Sequence, residues 1–452
     1  MLSYLVFLPL LFAIFAYFLN DKSVKINAVI FSLIIVILNI YAFISNDLRF
    51  AYTLINTINF GIILDANNIA LLLALVANFM LFISMCFFDD YKKDFLICAM
   101  ILSSCMNGLF FTNDALLFYI FWEVSLLPLL YLMLKHNQAV LAKRFFIFAF
   151  LGSILMLLSI IYLALNSFNS SIMNFNMVYF STSSFTMKEK TLLFLGFFLA
   201  FIIKAPIFPM HSWAIKTYDK APNFVSVMLV AFKMAPFGFL KFLVPLFADV
   251  IAQYHNIILS LCLISALYAA LLAASAKNYK ELCALSSISH IGILSLGVFS
   301  LNQIAITGAV FYMIAHAIVS GAMFLFADII YKNTKTYELD KLKGLAFANP
   351  KLSLVFGILL FSSISLPLTI NFVGEFMVLY GLFENARIYG IIATFIVVLG
   401  AIYMLKMFRE CFLGQDNKLI LKANLYQKII LGFLCFLCVL LGVVPNLILE
   451  LI

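Results

Sequence analysis

The chain consists of long apolar runs separated by short polar segments. The runs are about 20 residues long and do not alternate with polar positions, a pattern that predicts membrane-spanning helices and not barrel strands. The longest polar stretch, Asn166 to Lys190, is too short to form a domain. We therefore predict one polytopic membrane domain over residues 1–452, with about 14 helices near 2–19, 26–45, 67–88, 94–111, 114–134, 145–166, 191–214, 222–250, 256–275, 282–300, 304–330, 351–384, 388–408 and 429–449.

Composition excludes a soluble protein. Hydrophobic residues make up 65% of the chain and charged residues 11%, against about 25% charged in soluble domains. Within a bilayer the backbone must satisfy its own hydrogen bonds, which continuous helices achieve. The expected class is an all-α membrane protein. The net charge of +8 does not indicate nucleic-acid binding, because the basic residues are spread over the loops and form no stripe.

The distribution of the basic residues over the loops instead indicates how the helices are oriented in the membrane. Of the 28 Lys and Arg residues, 20 lie in loops that follow odd-numbered helices and 4 in loops that follow even-numbered ones. The positive-inside rule places the first set in the cytoplasm and both termini on the periplasmic side. One missed helix would scramble this alternation, so the asymmetry also supports the predicted number of spans.

Some polar residues near span ends have simpler expected roles. Asp65 and Asp114 precede the third and fifth spans and are expected to cap them. Lys241 and Lys406 lie toward span ends, from which a long side chain can reach the membrane surface. The eight cysteines, including the Cys435–Cys438 pair, lie mostly in apolar runs and are expected to be small buried hydrophobes.

Two predicted spans contain prolines that interrupt a helix. The seventh span holds Pro206 and Pro209, and the twelfth holds Pro367. Proline removes a backbone hydrogen bond, and a membrane tolerates an interrupted helix only where it faces protein or a wet cavity. Because the interruptions lie five helices apart, we expect two inverted five-helix repeats, at about 94–250 and 256–408. Two ordinary proline kinks are the alternative.

Four charged side chains lie near the middle of predicted spans: Glu123, Lys204, Lys233 and Glu375. Each ionised group at that depth costs about 2.5–3.5 kcal/mol on insertion scales. A low dielectric disfavours an isolated charge, whereas a close partner of opposite charge stabilises it. Separating a lysine from a glutamate would therefore release a proton, so the pattern favours a proton path. Fixed salt bridges that hold helices in register are the alternative.

Two histidines lie in the same part of the predicted bundle. His290 falls in the tenth span and His316 near the middle of the eleventh. A lone buried histidine is often a hydrogen-bonded core residue, but four nearby buried charges favour a proton relay. The sequence shows no nucleotide-binding motif, iron–sulfur cysteine cluster or haem-ligating pair, so we expect no metal and no redox cofactor in this chain.

Five segments carry a resemblance to a known family: FYIFWEVSLLPLLYL, FIIKAPIFPMHSW, APNFVSVMLVAFKMAPFGFLKF, ALSSISHIG and NFVGEFMVLYGLF. On these segments the chain resembles the M-type antiporter-like membrane subunit of respiratory complex I, the proton-translocating NADH:quinone oxidoreductase. The glutamate of NFVGEF distinguishes the M type, since L- and N-type subunits and Mrp-type antiporters tend to have lysine there. The segments AIKTYDKAP after Trp213 and NYKEL, residues 278–282, before His290 depart from the family pattern and leave the cytoplasmic loop contacts and the proton entry open.

The resemblance implies a proton path through six residues: Glu123 and Lys204 as a modulating pair, Lys233 as the central relay, His290 and His316 along the polar axis, and Glu375 on the exit side. Protons would enter from the cytoplasm and leave near Glu375. Quinone reduction in neighbouring subunits would drive them through conformational or electrostatic coupling.

The resemblance also implies a setting for the chain. FMN, iron–sulfur clusters and quinone would be held by partner subunits, and the direct neighbours would be L-, N- and K-type membrane subunits within a bacterial inner membrane. A subunit of an Mrp-type cation/proton antiporter or of a membrane-bound hydrogenase is the alternative, because both share the fold. A purely structural scaffold would leave the buried charges without a role.

Overall fold

A computed structural model describes residues 1–45, 49–55, 60–89, 92–166, 174–180, 182, 184–414 and 419–452. The first half of the chain forms α1 (Leu2–Tyr17), α2 (Asp21–Ser45), β1 (Arg49–Ile55), β2 (Phe60–Asp65), α3 (Asn68–Phe87), α4 (Lys93–Phe111), α5 (Ala115–Val124), α6 (Leu126–Lys135), α7 (Ala139–Leu165), α8 (Met187–Lys204), α9 (Ser212–Lys220), α10 (Asn223–Ala231), α11 (Met234–Gly238), a π-helical turn (Phe239–Leu243), α12 (Val244–Leu246) and α13 (Ala248–Gln253). The second half forms α14 (His255–Ser275), α15 (Tyr279–Phe299), α16 (Gln303–Thr334), α17 (Leu345–Ala348), α18 (Pro350–Ser363), α19 (Ile370–Asn385), α20 (Arg387–Phe412), α21 (Leu425–Val443) and α22 (Asn446–Leu449).

The helices have the length and composition of membrane spans. Among the residues described above, 11 helical stretches are long and apolar enough to cross a membrane. The remaining predicted spans coincide with the shorter helix α1 and with the interrupted pairs α8–α9 and α18–α19. The helical membrane fold is confirmed, and the total of about 14 spans stays a prediction.

Short polar side chains begin several of these helices. The Asp114 carboxylate accepts a hydrogen bond from the backbone N–H of Leu117 at 2.8 Å, so the predicted cap of α5 is present. The predicted cap of α3 by Asp65 is wrong. Asn67 caps α3 by accepting from the Ala70 N–H at 2.9 Å, because it lies directly before the first helical residue. Asp65 instead ends β2 and pairs with Arg49 at 3.5 Å.

A β-hairpin occupies part of the segment expected to be a loop. Strands β1 and β2 are antiparallel, with Arg49 opposite Asp65 and Phe50 opposite Leu64. Leu64 also forms a bridge with Thr112, just after α4. The alternation of RFAYTLI was a signal for a strand, but it covers only seven residues beside much longer apolar runs.

The two predicted interruptions lie where the prolines stand. Helix α8 ends at Lys204 and α9 begins at Ser212, with Pro206 and Pro209 in the non-helical segment between them. Pro367 leaves the carbonyl four residues earlier, that of Ser363, without its helical N–H donor, and α18 ends at Ser363. The proline chemistry thus accounts for both breaks.

Two further interruptions follow the same rule and were not predicted. Pro128 lies four residues after Val124, where α5 ends, so the fifth predicted span consists of α5 and α6. Pro236 lies four residues after Phe232, and the helix is broken between α10 and α11. Glu123 and Lys233 therefore lie at helix breaks and not inside continuous helices.

The described helices pack into two compact units. Unit 1 comprises Met1–Ala205 and Phe232–His255, and unit 2 comprises Pro206–Ala231 and Asn256–Ile452. Within unit 1, α1 packs on α4, α2 on α3, and α7 on α8. Within unit 2, α16 packs against α10, α15 and α19. Each unit contains one group of the buried residues that the sequence singled out.

Candidate functional site

In unit 1, Lys204 is the last residue of α8 and its ammonium is bound at the break between α5 and α6. Its Nζ atom donates to the Ser125 hydroxyl at 3.1 Å and to the Trp122 carbonyl at 3.3 Å. The same atom lies 4.0 Å from the centroid of the Trp122 ring, within cation–π range. Hydrogen bonds and a ring face thus hold the Lys204 charge, and no carboxylate of the described residues forms an ion pair with it.

Glu123 is next to this group, on the last turn of α5. Its Oε1 atom is buried and accepts no hydrogen bond from the described residues. Its carboxyl group interacts with the Ser153 hydroxyl and with the charge of Lys204. The structure therefore places Glu123 where its charge acts on Lys204 without a direct ion pair between the two side chains. Fixed salt bridging, the alternative for this pair, does not describe the arrangement.

Lys233 belongs to the same unit and is 3% exposed. It occupies the non-helical position before α11, and its carbonyl accepts the first hydrogen bond of that helix, from the Phe237 N–H at 3.0 Å. The next residue, Met234, receives a hydrogen bond from the Ser125 hydroxyl at 3.7 Å. Ser125 therefore contacts both Lys204 and the residue next to Lys233, which brings the two lysines into one neighbourhood.

In unit 2, two histidines and Glu375 form a second buried group. The ring centroids of His290 and His316 are 5.8 Å apart, and His316 Nε2 lies 3.0 Å from the Ser287 hydroxyl. The Tyr312 hydroxyl lies 2.5 Å from His290 Nδ1 and donates to Glu375 Oε1 at 3.2 Å. Two predicted residues, His290 and Glu375, are thus connected through a tyrosine that the sequence analysis did not select, and His316 adjoins them through the His290 ring.

A small cavity borders this second group. It is lined by Ser289, His290, Ser363, Glu375 and Tyr403, together with apolar residues of α15 and α20 and Ile364. Glu375 is 3% exposed and lies one turn into α19, just past the proline break. A buried carboxyl and a buried imidazole that border the same cavity are suited to exchange of protons.

Glycine determines how closely α19 approaches this group. A Cβ atom on Gly374 would lie 2.7 Å from the backbone nitrogen and the Cβ atom of Tyr312. Only glycine leaves room for α16 and α19 to pack at this distance. The residue after Gly374 is Glu375, so the close approach brings its carboxylate within reach of the Tyr312 hydroxyl.

Two further lysines are more buried than the sequence suggested. Lys280, which lies in the loop between the predicted spans 256–275 and 282–300, is 2% exposed and donates to the Ala221 carbonyl within unit 2. Lys241, expected to reach toward the surface, donates in unit 1 to the Thr112 carbonyl at 2.5 Å, just past the end of α4. Both bind backbone carbonyls at helix ends, an interaction that a one-dimensional pattern does not reveal.

A family model described as "NADH:quinone oxidoreductase/Mrp antiporter, TM" matches residues 112–401 of the chain. NADH-quinone oxidoreductase subunit M of Rickettsia prowazekii is 32% identical over 99% of this chain and 96% of the relative. A chain of respiratory complex I from Thermus thermophilus superposes with a TM-score of 0.92 at 26% identity, covering 100% of this chain and 98% of that one. A chain of the Mrp complex from Dietzia sp. DQ12-45-1b superposes with a TM-score of 0.86 at 19% identity, covering 100% of this chain and 95% of that chain, which shows the common fold.

Proposed function

Because this chain belongs to the NADH:quinone oxidoreductase/Mrp antiporter family, and within it to the subunit M proteins, we propose that it translocates protons as a membrane subunit of an NADH:quinone oxidoreductase. The observation that carries the proposal is the way in which the Lys204 ammonium is bound. An ammonium held by a hydroxyl, a carbonyl and a ring can lose its proton without the breaking of a direct ion pair.

The group of buried residues in unit 1 would take up the proton. Glu123 acts on Lys204 through charge alone, so any movement that changes their separation changes the free energy of the lysine proton. Lys233 would take up the proton next, since Ser125 links Lys204 to the neighbouring Met234. This assignment keeps Glu123 and Lys204 as the modulating pair and Lys233 as the central relay.

The group of buried residues in unit 2 would release the proton. His316 and His290 suit a relay because imidazole can both accept and donate a proton. Glu375 lies at the end of the group, beside the interruption formed around Pro367. Interruptions at Pro206, Pro209 and Pro367 would supply backbone groups that a wet path can use. The repeat boundaries at 94–250 and 256–408 are proposed on the same basis, since the first would hold the break at Pro206 and Pro209 and the second the break at Pro367.

The setting of the chain is also a proposal. Large apolar side chains are exposed along many helices, as expected for contact with lipid: Leu11, Phe18, Val140, Ile388 and Leu425 are examples. We place the chain in a bacterial inner membrane with both termini periplasmic, beside L-, N- and K-type subunits. FMN, iron–sulfur clusters and quinone would lie in other subunits of the assembly.

The proposal is tested by replacing Glu123 with Gln in the assembled enzyme. With the complex reconstituted in liposomes, we expect proton uptake per NADH oxidised to fall by about tenfold or more, because the neutral amide no longer acts on the Lys204 charge. An exposed acidic residue provides the control, Asp340→Asn, which should pump normally.

Affinity purification of the tagged chain shows whether each variant still assembles with its partner subunits in the same preparations. Iron–sulfur and quinone-site subunits should copurify with both variants. Loss of those subunits from Glu123→Gln alone would assign the residue a structural role. Copurification of wild-type chain with small antiporter subunits and no redox protein would favour a cation/proton antiporter of the Mrp type.

A further inference from the structure

The Tyr312 hydroxyl lies between two titratable groups of unit 2. It is 2.5 Å from His290 Nδ1 and 3.2 Å from Glu375 Oε1, and the tyrosine is fully buried. A phenol can accept one hydrogen bond while it donates another. The described contacts therefore form a continuous chain from imidazole through phenol to carboxylate.

The fold holds this hydroxyl in place from several sides. Gly374 lets the α19 backbone pack directly against Tyr312, which fixes the tyrosine relative to Glu375. The Tyr312 and His290 rings meet nearly edge to face, at 80° and 5.8 Å between centroids. His316 lies one turn further along α16, on the same face as Tyr312. Hydroxyl, imidazole and carboxylate thus occupy fixed positions before any proton moves.

We propose that Tyr312 is a proton relay that connects His290 to Glu375. In the transfer, protonated His290 gives its Nδ1 proton to the Tyr312 oxygen while the Tyr312 O–H proton passes to the Glu375 carboxylate. The imidazole ends neutral, the carboxyl ends protonated and the tyrosine is unchanged except for the direction of its O–H bond. The proposal rests on the function given above, because it assigns a residue to the path toward Glu375.

Two other buried tyrosines of unit 2 provide a comparison, because their hydroxyl groups have different hydrogen-bond partners. Tyr279 is fully buried, but its hydroxyl donates to the Met323 backbone carbonyl at 3.1 Å, an acceptor that does not titrate. Tyr403 donates to the Ser286 hydroxyl at 3.2 Å. Of these three tyrosines, Tyr312 alone joins an imidazole to a carboxylate, so it is the one placed for a relay.

The test compares Tyr312→Phe with Tyr279→Phe in the reconstituted complex. Both variants remove one buried hydroxyl and keep the ring. We expect Tyr312→Phe to lower proton uptake per NADH oxidised by about tenfold or more, and Tyr279→Phe to leave it within about twofold of wild type. Equal losses in the two variants would overturn the relay, because packing would then explain both.

Incorporation of 3,5-difluorotyrosine at position 312 separates relay from positioning. The fluorinated phenol keeps the ring and the hydroxyl but is more acidic, and proton-transfer rates follow donor acidity. A changed pumping rate, with the Glu375 carboxyl infrared band still shifted by its hydrogen bond, supports the relay. An unchanged rate overturns it.

A Glu375→Gln variant distinguishes failure of the Tyr312 relay from failure of the proposed function. If this variant stops pumping while Tyr312→Phe pumps normally, the relay is wrong and the proposed function stands. If Glu375→Gln itself pumps normally, the proposed path fails and the relay fails with it. Loss of pumping in both, with Tyr279→Phe active, supports both.

Discussion

At the scale of single residues, the buried charges are held mainly by neutral groups. Lys204 binds a hydroxyl and a carbonyl, Lys241 and Lys280 bind carbonyls, and Glu375 accepts from a phenol. Breaking a buried ion pair costs several kcal/mol because a charge is left uncompensated. Neutral partners avoid that cost, so these side chains can change protonation state while their surroundings stay intact.

Replacing Lys204 with Arg tests this point. An arginine stays charged under all physiological conditions, so it can fill the site but cannot release a proton. We expect the assembled enzyme to oxidise NADH with proton uptake lowered by about tenfold or more. Lys216→Arg, at an exposed position of α9, is the matched control. Normal pumping by Lys204→Arg would exclude deprotonation of this residue from the path.

The sequence revealed the charged members of the site and missed the neutral ones. Glu123, Lys204, Lys233 and Glu375 stand out because a charge inside an apolar run is costly. Tyr312 and Ser125 do not stand out, since tyrosine and serine are common in membrane helices. Spacing offered one signal, because Tyr312 lies one turn before His316 and therefore on the same helix face.

At the scale of helices, prolines and glycines position the charged groups. The breaks near Pro206 and Pro367 were predicted because proline removes a backbone hydrogen bond within a predicted span. The breaks caused by Pro128 and Pro236 were missed because each proline follows its charged residue within an apolar run. The rule that a proline frees the carbonyl four residues earlier places Val124 and Phe232 at those breaks.

Gly374→Ala tests the close approach of α16 and α19. The added Cβ atom would lie 2.7 Å from the Tyr312 backbone nitrogen, so the two helices must separate. We expect a loss of roughly 1–3 kcal/mol in the free energy of unfolding, together with loss of proton uptake. Thermal unfolding of the complex in nanodiscs measures the first effect.

Gly357 offers the matched control. It lies in α18, and a Cβ atom there meets nothing within 4 Å. Gly357→Ala should leave stability unchanged or raise it by about 0.5–1 kcal/mol, as alanine favours a helix over glycine. Equal effects of the two alanines would show that the α16–α19 contact does not require glycine.

At the scale of the whole molecule, hydrophobic runs predicted the membrane helices because lipid leaves the backbone few alternatives. The hairpin of β1 and β2 was not predicted, since short strands give a weak signal. Burial of Lys280 was not predicted either, because it results from packing of α9 and α10 near α15, which sequence position alone does not specify.

Orientation in the membrane can be measured by labelling single cysteines. The positive-inside rule places Lys343 on the cytoplasmic side and Lys188 on the periplasmic side. In a Cys86→Ser background, which removes the one native cysteine that is not buried, we expect Lys188→Cys to react with a membrane-impermeant maleimide in intact spheroplasts. Lys343→Cys should react only after the membrane is opened. The reverse pattern would invert the proposed topology.

Helix α16 runs without interruption for 32 residues, from Gln303 to Thr334. At about 1.5 Å per residue it is about 48 Å long, against about 30 Å for the hydrocarbon core of a bilayer. Asp328, near its far end, is held by Asn223 and Lys332, about 18 Å along the axis from His316. An uninterrupted helix transmits a displacement along its axis, whereas an interrupted helix can bend at the break instead. Because no break separates Asp328 from His316, a displacement of the Asp328 end would be passed along α16 to His316 and Tyr312, two side chains proposed to carry the proton.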